Sequence, residues 1–348
     1  MDAETTSVNL ETVDAPDSGP AATFRKLVRG DFNGDGREDI AVWMSNRDWQ
    51  IGIAGENGEF TYTTWTAWAG NEVKEIHVGD FNNDGKDDII GLFRNGDRGR
   101  WWVALSDGSK FVNRHWGDYG NYEGIHSVLV GNFDGVKGED LAVIANSGVV
   151  WMAKTSNTRF QYLEALRWNL SNGFEFAQVG NFNGDSRDDI VAVFGTGAQR
   201  VIRVAKSIGP AAGFYSSKWA DLTVTQSLDS VLVGDFDGDG RSNIAVLLNG
   251  TRLWCGRSNG QTFTMEHWLN WSAIADGFES ISIEDSNSDG LADVVARLSN
   301  GMRYSAQSTG TGFVHRNLSQ LSTITDGFDF DEYSDIEIVE FLNGLIPW

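Results

Sequence analysis

Asp31, Asn33, Asp35 and Asp39 place four side-chain oxygens at positions one, three, five and nine of a loop inside GDFNGDGREDI, residues 30–40. The carbonyl of Arg37, at position seven, stands where a fifth oxygen is expected. Hard oxygens crowded into nine residues suit Ca²⁺, which takes ~6–8 oxygens at about 2.3–2.6 Å. Gly36 lets the backbone turn where a Cβ would clash. A helix-flanked calcium loop would close with Glu at position twelve, but Val42 stands there, and Gly91 in the next copy. The apolar run after the loop, IAVW, reads as a buried strand, so the loop joins two strands.

The pattern returns five times, from Gly79, Gly131, Gly180, Gly234 and Glu284, at spacings of 49, 52, 49, 54 and 50 residues. The second copy offers Asp80, Asn82, Asp84, Lys86 and Asp88, and the fourth Asn181, Asn183, Asp185, Arg187 and Asp189. The fifth offers Asp235, Asp237, Asp239, Arg241 and Asn243, and the sixth Asp285, Asn287, Asp289, Leu291 and Asp293. In each set the seventh-position residue contributes its carbonyl. In the third copy, Asn132–Asp140, Val136 replaces the position-five carboxylate, so weak binding or none is expected. Loops rich in Asp, Asn and Gly also serve as plain hairpin turns. Five good copies at near-constant spacing favour about five structural Ca²⁺ sites instead.

Each repeat divides into four short apolar runs. One leads into the loop (KLVRGDF) and one leaves it (DIAVW); a third carries an aromatic in most copies (WQIGIA). The fourth begins at Phe60, Phe111, Phe160, Phe214, Phe263 and Phe313. Four strands per ~50 residues without helical periodicity predict an all-β chain, a β-propeller of four-stranded blades. Residues 24–328 form the six repeats. Residues 1–23 supply a strand (Thr5–Val13) and a linker, and residues 329–348 read as a degenerate blade segment, because FLNGLIPW echoes LLNGTRLW at 247–254. Seven blades, the last closed by both chain ends, are favoured over six with trailing tails, since closure hides strand edges.

GDFNGDGREDIAVW and its copies resemble the FG-GAP/VCBS repeat family, which occurs in integrin α-subunit propellers and secreted bacterial proteins. The resemblance spans residues 24 to 328. It implies a calcium-bearing propeller working outside the cell in adhesion or recognition. Related propellers include lectins that bind sugars between blades and some polysaccharide lyases. Fold is therefore better indicated than function.

Composition narrows the classes further. The net charge of −22 argues against nucleic-acid binding, which needs clustered Lys and Arg. The single cysteine, Cys255, excludes an intramolecular disulfide framework and any multi-cysteine metal site. No stretch approaches the ~20 apolar residues of a membrane span. The acidic N-terminus lacks a signal peptide's basic and apolar regions. That leaves a cytosolic chain or a mature extracellular, cell-surface or periplasmic one. The calcium loops favour the second, because weak sites fill where calcium is millimolar.

Fourteen tryptophans supply the second chemical signal. Trp65, Trp116, Trp219 and Trp268 lie five residues after the fourth-strand Phe; Trp68, Tyr119, Trp168 and Trp271 lie three further on. Trp102, Trp151, Trp254 and Tyr304 share a column on the third strand. Large flat side chains of this kind pack between blades or stack on sugar rings. The ligand-binding candidates are Trp65, Trp102, Trp116, Trp151, Trp219, Trp254 and Trp268, with His115 and His267 beside indoles in two equivalent positions. The expected function is therefore non-catalytic recognition of a glycan or a protein ligand. A polysaccharide lyase using His, Tyr and Arg is the alternative, as is an acidic scaffold docking a basic partner. G-x-S-x-G at 256–260 falls on a strand hairpin rather than the strand-to-helix turn a nucleophile elbow needs. Arg29-Gly30-Asp31 commits its aspartate to the first loop.

Overall fold

The computed structural model describes residues 24–318, apart from 57, 58, 71, 157, 224–226 and 276. It contains six four-stranded antiparallel sheets, each paired in chain order. The first comprises Phe24–Gly30, Asp39–Met44, Asp48–Ala54 and Phe60–Ala67. The outer strands of the other five begin at Phe111, Phe160, Phe214, Phe263 and Phe313, as the repeat predicts. The molecule is an all-β propeller of four-stranded blades. Among the described residues the blades number six, where the sequence favoured seven. Residues 5–13 and 329–348, assigned to the seventh, lie outside the described residues. No helix among the described residues is long and apolar enough to cross a membrane.

The second strand of each sheet reads as a continuous apolar run because both of its faces are covered. DIAVWM, DLAVIA and NIAVLL are buried at every residue. Successive strand side chains point to opposite faces. Val294 and Ala296 of the sixth sheet therefore meet Ala245, Leu247 and Cys255 of the fifth, and four further apolar clusters fill the other junctions from the first sheet to the fifth. Every cluster is shared between two neighbouring sheets, so no sheet carries a core of its own.

A fixed knob occupies each junction. The second loop residue (Phe32, Phe81, Phe133, Phe182 or Phe236) is fully buried. Four of these rings lie edge-on to the phenylalanine opening the next sheet's outer strand, for example Phe32 on Phe111 at 5.5 Å and Phe236 on Phe313 at 5.3 Å. The carbonyls of the same residues accept a hydroxyl from the next sheet: Ser106 to Phe32 at 2.5 Å, Ser207 to Phe133, Ser258 to Phe182 at 2.6 Å and Ser308 to Phe236 at 2.6 Å. Backbone bonds join the loops directly. The position-eight N–H of each loop donates to the position-one carbonyl of the loop before it: Asp87 to Asp31, Glu139 to Asp80, Asp188 to Asn132, Ser242 to Asn181 and Ala292 to Asp235, all at 2.8–3.1 Å.

The position-nine side chain anchors each loop to its own sheet. Its Oδ1 accepts the N–H at the end of the third strand in all six copies: Ala54 to Asp39, Ser106 to Asp88, Thr155 to Asp140, Ser207 to Asp189, Ser258 to Asn243 and Ser308 to Asp293. Burial pushes the Asp88 carboxyl up to about 8, and those of Asp140 and Asp189 to about 7. An amide meets the same need without a charge, as Asn243 demonstrates. Asp88→Asn is therefore expected to change stability by under about 1 kcal/mol in urea unfolding. Asp88→Leu, which strands the buried Ser106 N–H, should cost about 1–3 kcal/mol. Equal losses from the two would contradict an anchoring role.

Candidate functional sites: acidic loops and blade-junction grooves

The loops are shaped by local hydrogen bonds before any ligand is considered. In the first, the position-one carboxylate of Asp31 accepts the N–H groups of Gly34, Asp35 and Gly36 at 2.7–3.0 Å. Asn33 accepts from Asp35 and Asp35 from Arg37, so successive side chains coil the backbone inward. Position four is left-handed in every copy, at φ 58–78° (Gly34, Asn83, Gly135, Gly184, Gly238 and Ser288). Glycine takes this conformation without penalty and asparagine tolerates it.

In the fifth loop Asp235, Asp237 and Asp239 bring carboxylate oxygens within 4.8 Å of one another. That donor set, three hard oxygens on a tight loop, fits a Ca²⁺ ion. In this loop positions one, three and five thus converge. The position-nine residues Asp39, Asp88, Asp189, Asn243 and Asp293, also expected as ligands, are buried under the loop with Oδ1 on a backbone N–H, and the Oδ2 atoms of Asp88 and Asp189 have no hydrogen-bond partner among the described residues. In the third loop Val136 is exposed in the place of the missing carboxylate.

The seventh residue was assigned only a carbonyl role, yet its side chain is active in three copies. Arg37, Arg187 and Arg241 each donate Nε to a carbonyl at the end of the third strand, at 3.1–3.3 Å. Each lays Nη2 on the position-five carboxylate, Asp35, Asp185 or Asp239. Lys86 reaches Asp84 at 3.2 Å in the second loop, while Leu291 brings no charge to the sixth. The recurrence of Arg or Lys at one register was the signal for this role in the sequence.

The tryptophan candidates divide into two groups. Trp65, Trp116 and Trp219 are buried between blades and pack against the outer-strand phenylalanine of the next sheet, at centroid distances of 5.0, 5.5 and 5.0 Å. Trp268, half-buried, packs on Phe313 at 4.9 Å. These side chains pack in the junctions, where the three buried indoles leave little ring face for a sugar and Trp268 keeps part of its surface accessible. Trp102, Trp151 and Trp254 are half-buried on the third strands. Trp102 lies 5.5 Å from the His115 ring and Trp254 5.7 Å from His267, as direct cross-strand neighbours. His115 also bonds Asp118 and His267 bonds Asn270, both at 3.1 Å, and both imidazoles are exposed.

Two grooves occupy equivalent places at different junctions. One, of about 350 Å³ between the first and second sheets, is lined by Trp68, Phe93, Arg100, Trp102 and Asn113. The other, of about 640 Å³ between the third and fourth, is lined by Trp168, Phe194, Arg203, Tyr215, Ser216 and Asn169. Trp68 and Trp168 correspond, as do Phe93 and Phe194, and Arg203 takes the register of Trp102. Each floor indole donates across the junction, Trp68 to Asn113 at 3.1 Å and Trp168 to Ser216 at 3.2 Å. Arg203 donates to the same Ser216 hydroxyl at 3.3 Å, and Tyr215 is 60% exposed at the rim. Of the residues expected to contact a ligand, only Trp102 lines either groove. Arg203, Tyr215 and Asn169 were not foreseen, because they belong to a single repeat and leave no periodic mark.

Residues 31–91 match the family model of the FG-GAP-like repeat. The matched segment runs from the first acidic loop through the second, so it covers one full repeat of the ring. No curated protein matches the chain significantly.

Proposed function

We propose that this chain is a non-catalytic recognition module that holds a carbohydrate in the grooves between neighbouring blades. The observation that carries the reading is the equivalence of the two grooves. Each sets a more accessible aromatic, half-buried Trp102 or exposed Tyr215, over a buried indole and phenyl base, with amide, hydroxyl or guanidinium groups at its rim. Sugars are bound by that combination, with apolar ring faces on aromatic surface and hydroxyls on a few fixed polar groups. Arg203 gives the larger groove a cationic side, suited to a sugar with an acidic or strongly accepting substituent. Repeated shallow grooves on one ring would gain avidity from a multivalent glycan.

In this reading the acidic loops hold Ca²⁺ as structural ions, through positions one, three, five and nine and the position-seven carbonyl. Millimolar extracellular calcium would fill even weak sites of this kind, which favours work outside the cytoplasm.

Glycan-array binding in millimolar calcium, with and without a chelator, tests the ligand. Saturable binding to a defined sugar is expected, and Arg203→Ala or Tyr215→Ala should weaken it about tenfold, ~1.4 kcal/mol. Folded protein that binds no sugar, or binding indifferent to both variants, would sink the proposal. The calcium reading has its own check. Chelation should lower the melting temperature, since each site filled at 100-fold over its dissociation constant adds roughly 2.7 kcal/mol. Asp84→Ala should reduce that calcium-dependent gain more than Asp134→Ala, and equal reductions would contradict the ranking of the loops.

A further inference from the structure

The sheets alternate between two kinds. In the first, third and fifth the outer strand stops at Ala67, Arg167 and Asn270, and the next residue is a buried tryptophan, Trp68, Trp168 or Trp271. Its backbone N–H donates to the turn between the second and third strands, at Arg47, Gly148 or Thr251 (3.0, 2.7 and 2.6 Å). In the second and fourth sheets the outer strand runs on, and Tyr119 and Leu222 stay in the ladder opposite Gly99 and Arg200. Both grooves described above lie at junctions that begin on a sheet of the first kind. Among the described residues the fifth–sixth junction is the third such place.

That junction is built from the same registers. Trp271 and Leu298 form its buried base, where the first groove has Trp68 and Phe93. Tyr304, half-buried, stands opposite Ala296 as Trp102 stands opposite Gly91. His315 pairs with Ala306, as Asn113 pairs with Ala104 and Ser216 with Ala205. The base indole donates across the junction in all three places: to Asn113, to Ser216, and here to His315 Nδ1 at 3.0 Å. The Tyr304 and His315 rings lie 5.2 Å apart, and the imidazole is exposed. At the second–third and fourth–fifth junctions this column carries Tyr162 and Met265, and Tyr119 and Leu222 stand in the place of the base tryptophan. We propose that the fifth–sixth junction is a third carbohydrate site of the same class, and that His315 makes it the acid-sensitive one of the three. The inference rests on the carbohydrate reading above and adds to it a site and the regulation of that site.

An imidazole nitrogen that accepts a hydrogen bond carries no proton. The indole bond therefore fixes His315 as the neutral tautomer with its proton on Nε2, a donor for a sugar hydroxyl. A proton added at Nδ1 would set two donors against each other, and the imidazole would have to leave the indole. Partial burial, and then the Arg316 charge, hold the His315 pKa below the ordinary histidine value. Among the described residues packed against the ring, Tyr304 faces it from the third strand and Trp271 from the fifth sheet. On that sheet's outer strand Glu266 is tied to Arg257 and His267 to Asn270, both at 3.1 Å. Arg303 alternates away from Tyr304 and pairs with Glu284 at 2.9 Å. The bond is made above the folded-state pKa of His315 and lost as the pH falls through it. Affinity at this junction should therefore drop about tenfold per pH unit below that point. The amide of Asn113 and the hydroxyl of Ser216 do not titrate in this range, so the other two junctions should hold theirs.

Proton–nitrogen NMR of the full chain tests this by following the indole N–H signals from about pH 7.5 to about pH 5. The Trp271 signal should move with a midpoint below the ordinary histidine value of about 6.5, while those of Trp68 and Trp168 stay. His315→Asn places at this register the acceptor that Asn113 already provides, so it should abolish the movement in a folded chain. A Trp271 signal that ignores pH, or that still titrates in the variant, overturns the switch. Methyl glycosides of glucose, galactose and mannose, added at neutral pH and again in acid, then read the site. Shifts at Trp271 that vanish in acid, and persist there in the variant, support it. Shifts at Trp68 or Trp168 with Trp271 unmoved remove the third site and leave the carbohydrate reading standing. No shift at any of the three indoles, in a chain whose Trp271 signal titrates, removes the carbohydrate reading and the third site with it.

Discussion

The position-eight N–H of each loop reaches back to the position-one carbonyl of the loop before it, and the ring depends on that repeated bond. Around it sit the buried phenylalanine, the serine hydroxyl on its carbonyl and the position-nine anchor to the third strand. Hydrophobic burial supplies the driving force, because every apolar cluster lies between sheets. The hydrogen bonds supply register, since an unpaired buried amide would cost more than any one of them contributes. A cation held at positions one, three and five would therefore bind the same segment that holds two blades together.

That coupling explains why some parts of the molecule were legible from sequence and others were not. The outer strands could be placed to the residue because their opening phenylalanines recur at one register, and they recur because each must meet the preceding loop. The acidic loops were found for the same reason. What failed was the assignment of individual side chains to a face. Trp65 looks as eligible for a sugar as Trp102. The register shift between Trp49 and Gln50 in the third–fourth strand pairing resets the outer strand's alternation and sends Trp65 into the junction. Position nine has a structural task the sequence did not single out, because an aspartate suits a metal and a buried N–H equally well. Asn243, the one neutral copy, meets the same buried N–H through its amide oxygen.

The grooves sit where the repeat is least constrained. Trp68 and Trp168 are held by the ring, but the residues above them vary, tryptophan in one blade and Arg203 in another. A scaffold that repeats one floor at two junctions under variable rims can change ligand without changing fold. The same economy shows at the fifth–sixth junction, where the column of Asn113 and Ser216 carries His315. Deviations from the repeat, more than the repeat itself, are where specific chemistry is found in this chain.

Native-state hydrogen exchange at the position-eight amides of Asp87, Asp188, Ser242 and Ala292 tests the account most directly. These N–H groups lie in polar surface loops, which ordinarily exchange fast. If the loop-to-loop bonds hold the ring, they should be protected to the level of the buried second strands and open only with global unfolding. Exchange at the rate of the neighbouring loop-tip amides would contradict it, and the junctions would then be held by side-chain packing alone.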